Sequence, residues 1–213
     1  MRSPFLTALA KTRLYPLTDR SLSGLSHAEQ VSHLSDGGAT VVQLREKNLS
    51  PLQFYQEAAE ALSVARERGV KIIINDRVDI ALALKADGVH LGQDDLPPKA
   101  ARELLGPEAI IGFSTHTLEQ ALFSTKLPID YLAIGPIFST STKQSAELEV
   151  GLDGLSQIRE AVGEIPLVAI GGITTQNSNA VLNAGVDAIA VISDIWTYPA
   201  QVTTQIERLL HRL

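Results

Sequence analysis

The sequence contains no cysteine. That absence excludes disulfides, thiolate zinc sites, iron–sulfur clusters and cysteine nucleophiles, and it leaves the redox compartment unmarked. Also missing is any run of about 18 apolar residues, the length a membrane-spanning helix needs. The apolar residues 5–10 are too few for a secretory core and are closed by Lys11 and Arg13. A cytoplasmic protein is therefore expected, with no membrane partner. Basic excess is lacking as well: 18 Lys and Arg stand against 24 Asp and Glu, a formal net charge of −6. Domains that coat nucleic acid carry the opposite balance, so no nucleic-acid partner is expected. Small anionic ligands remain compatible, because a local cluster of cations or a bound metal outweighs the global sign. No Gly-x-Gly-x-x-Gly, Walker loop or His-Glu-x-x-His occurs. No low-complexity stretch or linker divides the 213 residues, so 1–213 reads as one domain.

What is present is a recurring pattern. Short, β-branched apolar runs fall at 13–17, 40–44, 71–74, 88–91, 110–113, 131–134, 167–170 and 188–192. They show little in/out alternation, which suits strands buried on both faces. Helix-compatible stretches lie between them. Ser50 and Pro51 read as N-cap and first residue of a helix over 52–68, with Gly69 to stop it. Thr117 and Gln120 read as a capping box, and a further helix is expected over 175–183. Strands alternating with helices predict a parallel sheet, and its regularity favours a (β/α)₈ TIM barrel over an open doubly wound sheet.

In such barrels the residues just after each strand gather at one rim. Gln43, Arg45 and Lys47 alternate there and so share one side of an extended segment, where two cations and an amide could clamp a pyrophosphate. A solvated strand end, paired with Glu46 or a neighbouring carboxylate, fits the same residues. Asp76 and Asp95 follow neighbouring strands and could converge on Mg²⁺. Alternatively, Asp76 caps a helix and pairs with Arg77. Thr140-Ser141-Thr142-Lys143 offers hydroxyls and a cation to an anion, or is simply an exposed loop. Gly171-Gly172 and Ile192-Ser193 match the phosphate site that the last two loops of a barrel form, although Gly171-Gly172 would also serve a tight turn. His90, inside a strand, is expected to be a hydrogen-bonded interior histidine. His116 fits acid–base work or a helix entry equally. His27, His33 and His211 are expected at the surface, and Trp196 and Tyr198 are expected to pack.

Taken in order, these segments resemble the thiamine-phosphate synthase family. The likeness rests on Gln43-Leu44-Arg45-Glu46-Lys47, Asn75-Asp76-Arg77, Gly88-Val89-His90-Leu91-Gly92-Gln93-Asp94-Asp95, Ser114-Thr115-His116, Gly135-Pro136 through Lys143, Ala169-Ile170-Gly171-Gly172-Ile173 and Val191-Ile192-Ser193. It runs from about residue 14 to residue 195 and leaves 1–12 as an N-terminal extension. The resemblance implies a transferase that joins a pyrimidine pyrophosphate to a thiazole phosphate in thiamine biosynthesis, releasing pyrophosphate. It further implies that Gln43, Arg45, Lys47 and Asn75 hold the pyrimidine pyrophosphate, with Ser114 and Lys143 completing those contacts. Asp76 and Asp95 would bind Mg²⁺ as cofactor, and Thr140, Thr142, Gly172, Ile192 and Ser193 would seat the thiazole phosphate. Arg45, Lys47 and Lys143 would carry catalysis by neutralising the leaving group, and a homodimer is suggested. Phe113 stands where the family commonly has a smaller residue, which implies an altered fit around the pyrimidine. A metal-free thiazole tautomerase, another phosphate-binding barrel isomerase and a non-catalytic thiazole or thiamine phosphate-binding regulator are the alternatives.

Overall fold

A computed structural model of the chain describes Thr7, Leu9 and residues 12–140 and 148–213. Eight parallel strands alternate with helices: β1 Leu14–Pro16, β2 Val41–Leu44, β3 Lys71–Asn75, β4 Gly88–Leu91, β5 Ile110–Thr115, β6 Tyr131–Ile134, β7 Leu167–Ile170 and β8 Ala188–Val191. Their order is β1-β8-β7-β6-β5-β4-β3-β2. A parallel bridge between Leu17 and Gln43 joins the two ends, and the N–H of Thr18 donates to Gln43 O at 2.9 Å. The sheet thus closes as the (β/α)₈ barrel that the run pattern predicts. The described helices are α1 Arg20–Ser23, α2 His27–Asp36, α3 Pro51–Arg68, α4 Val78–Leu84, α5 Pro98–Leu105, α6 Leu118–Ser124, α7 Gly151–Val162, α8 Ser178–Asn183, α9 Ser193–Trp196 and α10 Val202–Leu210. None of them is long and apolar enough to cross a membrane.

The strands lack alternation because both faces are covered. Outward-facing Val42, Leu44, Ile72 and Ile74 meet helix residues such as Phe54, Ala58 and Ala61 of α3. Inward-facing Tyr15, Val41, Ile73, Ile110, Tyr131 and Val168 fill the barrel, joined by Leu9 from the expected N-terminal extension. Each such Leu, Ile or Val contributes about 1.5–3 kcal/mol by leaving water. Phe113 belongs to the outer layer and does not line the barrel interior, because on β5 it alternates with inward-facing Gly112 and Ser114. The expectation that it alters the pyrimidine fit is therefore corrected.

Local signals decide most element ends. Ser50 accepts the N–H of Gln53, whose side chain returns to the Ser50 amide, and Gly69 ends α3 in the left-handed region at φ 68°. Thr117 caps α6, but Gln120 Oε1 accepts from the amide of His116 rather than that of Thr117, so the box is not reciprocal. The expected helix over 175–183 begins only at Ser178, because Asn177 Oδ1 takes the Thr174 N–H and holds the preceding residues in a turn. β1 starts at Leu14, since Arg13 sits at φ 52°. β8 stops at Val191, where Ile192 leaves the extended region. Trp196 packs as expected, with its indole N–H donating to Leu17 O at 2.8 Å, whereas Tyr198 is exposed. Of the histidines expected at the surface, His211 is exposed and His33 half-buried, but His27 is fully buried.

One glycine is required by a close approach inside the barrel. A Cβ on Gly112 would lie 2.1 Å from Tyr131 Cζ and 2.5 Å from His90 Nδ1. Gly112→Ala is expected to destabilise the fold by about 1–3 kcal/mol through overpacking, read as a lower thermal midpoint. An unchanged midpoint would contradict this packing.

Candidate active site

Strand ends and loops at the C-terminal rim enclose a cavity of about 330 Å³. Its floor is apolar where Leu17, Ala133, Val168, Ile170 and Ala190 face inward. Across that floor runs a buried chain of hydrogen bonds. Gln43 Nε2 donates to the Tyr15 hydroxyl at 3.1 Å, which lies 3.0 Å from the Tyr131 hydroxyl. Tyr131 meets His90 Nδ1 at 2.9 Å, and His90 Nε2 meets Ser114 Oγ at 2.8 Å. His90 is thus the hydrogen-bonded interior histidine expected from its place in a strand. Burial pushes its imidazole down to about 4, with Lys47 adding to the shift and Asp95 opposing it, so the ring is neutral near pH 7. A buried network of this kind fixes the orientation of the groups at its two ends, Gln43 and Ser114.

On one side of the cavity β2, β3 and β4 deliver charge. Gln43, Arg45 and Lys47 all line it, as their alternation predicts. Arg45 Nη1 holds Asp19 Oδ2 at 2.8 Å, and Lys47 Nζ pairs with Asp76 Oδ2. The pairing alternative is met in part, since both cations hold carboxylates, yet both also face the cavity and neither pairs with Glu46. The helix-cap alternative for Asp76 is not met. Arg77 occupies the N-cap of α4 without a side-chain cap, and it pairs with Asp79. Asp76 sits at φ 63°, a conformation Asp tolerates better than most residues but still at a cost. That backbone turn aims its carboxylate at Asp95. Burial, then the proximity of Asp76, raises the Asp95 carboxyl above its usual range, against the opposing Gly92 N–H and Lys47. Two abutting carboxylates form a donor set that a divalent cation would relieve.

On the opposite side β6, β7 and β8 supply small and hydroxyl residues. Thr140, Gly171, Gly172, Ile192 and Ser193 line the cavity there. Asp194 at the start of α9 accepts the Thr175 N–H and hydroxyl and so ties the last two loops together. His116 meets the helix-entry description, since its amide donates to Gln120 Oε1 at the α6 cap, and its Nδ1 lies 2.6 Å from Gly135 O at the rim.

The structure gathers Gln43, Arg45, Lys47, Asn75, Asp76, Asp95, Ser114, Thr140, Gly172, Ile192 and Ser193 around this cavity. Thr142 and Lys143 lie outside the described residues. Asp19 is not among the strand-end residues expected from sequence, although it follows β1 by three positions and the same rim rule would find it. Tyr15 and Tyr131 carry no comparable signal, because an aromatic inside a strand reads as core.

Comparison with known proteins adds an independent line. The thiamine monophosphate synthase family matches residues 14–195. A thiamine-phosphate synthase of Chloroflexus aurantiacus is 50% identical over 184 residues, covering 86% of this chain and 84% of that one. One from Clostridium novyi is 48% identical over 184 residues, covering 86% and 90%. The solved thiamine phosphate pyrophosphorylase of Pyrococcus furiosus superposes with a TM-score of 0.83 at 41% identity, covering 93% of this chain and 94% of that one. The chain belongs to the thiamine monophosphate synthase family and is an enzyme of the transferase class.

Proposed function

We propose that this enzyme joins 4-amino-5-hydroxymethyl-2-methylpyrimidine pyrophosphate to 4-methyl-5-(2-phosphoethyl)thiazole, or its carboxylate, giving thiamine monophosphate and pyrophosphate. With the carboxylate, carbon dioxide leaves as well. One observation carries the reading: the cavity has two polar ends on strands half a barrel apart, with apolar walls between them. The end after β2–β4 has the cations and paired carboxylates that suit a pyrophosphate. The end after β6–β8 has the glycines and hydroxyls that suit a monoester phosphate.

In this reading the bond between the pyrimidine methylene and the pyrophosphate oxygen breaks, and a bond from the methylene to the thiazole nitrogen forms. The electron-rich aminopyrimidine stabilises positive charge at the methylene, so the path is dissociative and needs no base or covalent nucleophile. Arg45 and Lys47 meet the charge growing on the departing oxygens, and Lys143 completes that role. Asn75 holds the same pyrophosphate. Gln43 and Ser114, set by the buried chain beneath them, orient the pyrimidine ring. Thr140, Thr142, Gly172, Ile192 and Ser193 hold the thiazole phosphate so that the ring nitrogen faces the methylene. Asp76 and Asp95 would hold Mg²⁺, which takes one or two carboxylates and completes its shell with phosphate oxygens and water. When bound, the metal supplies further neutralisation of the leaving pyrophosphate.

The test is direct. Purified protein, both substrates and Mg²⁺ are expected to give thiamine monophosphate, detected as fluorescent thiochrome. A folded sample that forms no product, yet interconverts thiazole tautomers or only binds thiazole phosphate, would contradict the reading in favour of a tautomerase or a regulator.

A further inference from the structure

We propose that His27 is a positioning residue for the pyrophosphate clamp, holding the backbone of Arg45 through Thr18 and packing against Glu46 in the turn that carries Lys47. The proposal rests on the clamp reading above. His27 opens α2, far from the rim in sequence, and its side chain is fully buried beside Phe54, with ring centroids 5.7 Å apart. Its Nδ1 lies 2.8 Å from Thr18 Oγ1, and that same oxygen accepts the backbone N–H of Arg45 at 3.1 Å. Its Nε2 faces Glu46 Oε2 at 3.4 Å without hydrogen-bonding it, and has no hydrogen-bond partner among the described residues. Glu46 is itself nearly buried, and its other oxygen accepts the N–H groups of Asn48 at 2.7 Å and Leu49 at 3.2 Å. One ring therefore fastens the amide of Arg45 through Thr18 and packs against the carboxylate that orders the turn carrying Lys47.

Burial pushes the His27 imidazole below its usual range against the pull of Glu46 and Glu57, with Arg20 acting in the same direction as burial, so the ring is neutral and has one N–H. Burial opposes ionisation of Glu46, yet the Asn48 and Leu49 amides and the His27 ring hold its carboxyl below the ordinary range. The Thr18 hydroxyl also reaches Gln43 O at 3.3 Å, so one buried oxygen ties together His27, the Arg45 amide and the backbone of β2. Thr18, His27 and Glu46 stand in the order hydroxyl, imidazole, carboxylate, without the imidazole–carboxylate hydrogen bond of a catalytic triad. Thr18 is fully buried and does not line the cavity, so it is no nucleophile. What this trio orients is the backbone of the clamp.

The probe is inorganic pyrophosphate with Mg²⁺, titrated calorimetrically against the full chain, with KM values for both substrates beside it. His27→Leu is expected to weaken pyrophosphate binding and raise the pyrimidine pyrophosphate KM by about tenfold, the scale on which small misplacements act. The thiazole phosphate KM should stay within about twofold, because that site hangs on the opposite strands. His27→Asn, which keeps a polar group near Nδ1, and His27→Gln, which keeps one near Nε2, should each recover part of the loss. A merely structural role would not split the two KM values. Parental pyrophosphate affinity in His27→Leu, with Arg45→Ala losing it, would overturn the role of His27. Parental affinity in Arg45→Ala as well would overturn the clamp itself. Should His27→Leu fail to fold, parental affinity in both His27→Asn and His27→Gln would equally overturn the proposal.

Discussion

Asp76→Asn is expected to lower turnover by about 10²-fold or more while leaving the barrel folded, the magnitude typical of deleting one charge-stabilising group at a reacting centre. Asn is the informative replacement because the residue sits at φ 63°. Asn tolerates that left-handed conformation, so the backbone turn survives and only the negative charge is lost. Lys47 then lacks its carboxylate partner, and the pair that would hold Mg²⁺ is reduced to Asp95. The carboxyl of Asp95 should fall back toward its usual range once its neighbour is neutral, a change visible in the pH dependence of metal affinity. The thiazole phosphate KM should be little changed. Steady-state kinetics showing near-parental turnover in this variant would remove the electrostatic account of catalysis.

Gly172→Ala is expected to damage the opposite end of the cavity instead. Gly172 has φ 65°, where an L side chain costs about 1–2 kcal/mol. A Cβ there would lie 2.6 Å from Ser139 O and 2.7 Å from Phe138 Cβ, both in the segment after β6. Either the loop after β7 or the segment bearing Thr140 must give way. The thiazole phosphate KM should rise about tenfold or more, since the phosphate-seating groups move on the scale to which catalysis is sensitive. The pyrimidine pyrophosphate KM should change far less. Equal damage to both KM values would show that the two ends are not independent.

Much of this architecture is legible in the sequence because the barrel imposes a simple rule. Strands buried on both faces appear as short apolar runs, and the chemistry sits just beyond each of them. Gln43, Arg45 and Lys47 alternate along an extended segment, and Asp76 and Asp95 follow adjacent strands, so their convergence could be read directly. Boundaries that depend on side-chain competition were not legible in the same way. Asn177 delays α8 by capturing the Thr174 N–H, and Gln120 chooses the amide of His116 over that of Thr117. Phe113 illustrates a different limit: only the strand register shows which of two adjacent residues faces the cavity. His27 shows the reverse error, because a polar residue opening a helix reads as exposed unless its partners, 9 and 19 positions away, are known. The chain of Tyr15, Tyr131 and His90 is likewise a product of barrel closure, which brings together residues that the sequence keeps more than 40 positions apart.

Central to the proposed function is that the paired carboxylates at the ends of β3 and β4 would hold a metal that would help pyrophosphate leave. The most direct measurement is thiamine monophosphate and pyrophosphate formation by the metal-stripped enzyme as free Mg²⁺ is titrated from EDTA. The account predicts no product in EDTA, equal amounts of both products on adding Mg²⁺, and a strongly weakened Mg²⁺ response in Asp95→Asn. Full turnover in EDTA, or an Asp95→Asn enzyme with the parental Mg²⁺ response, would contradict it.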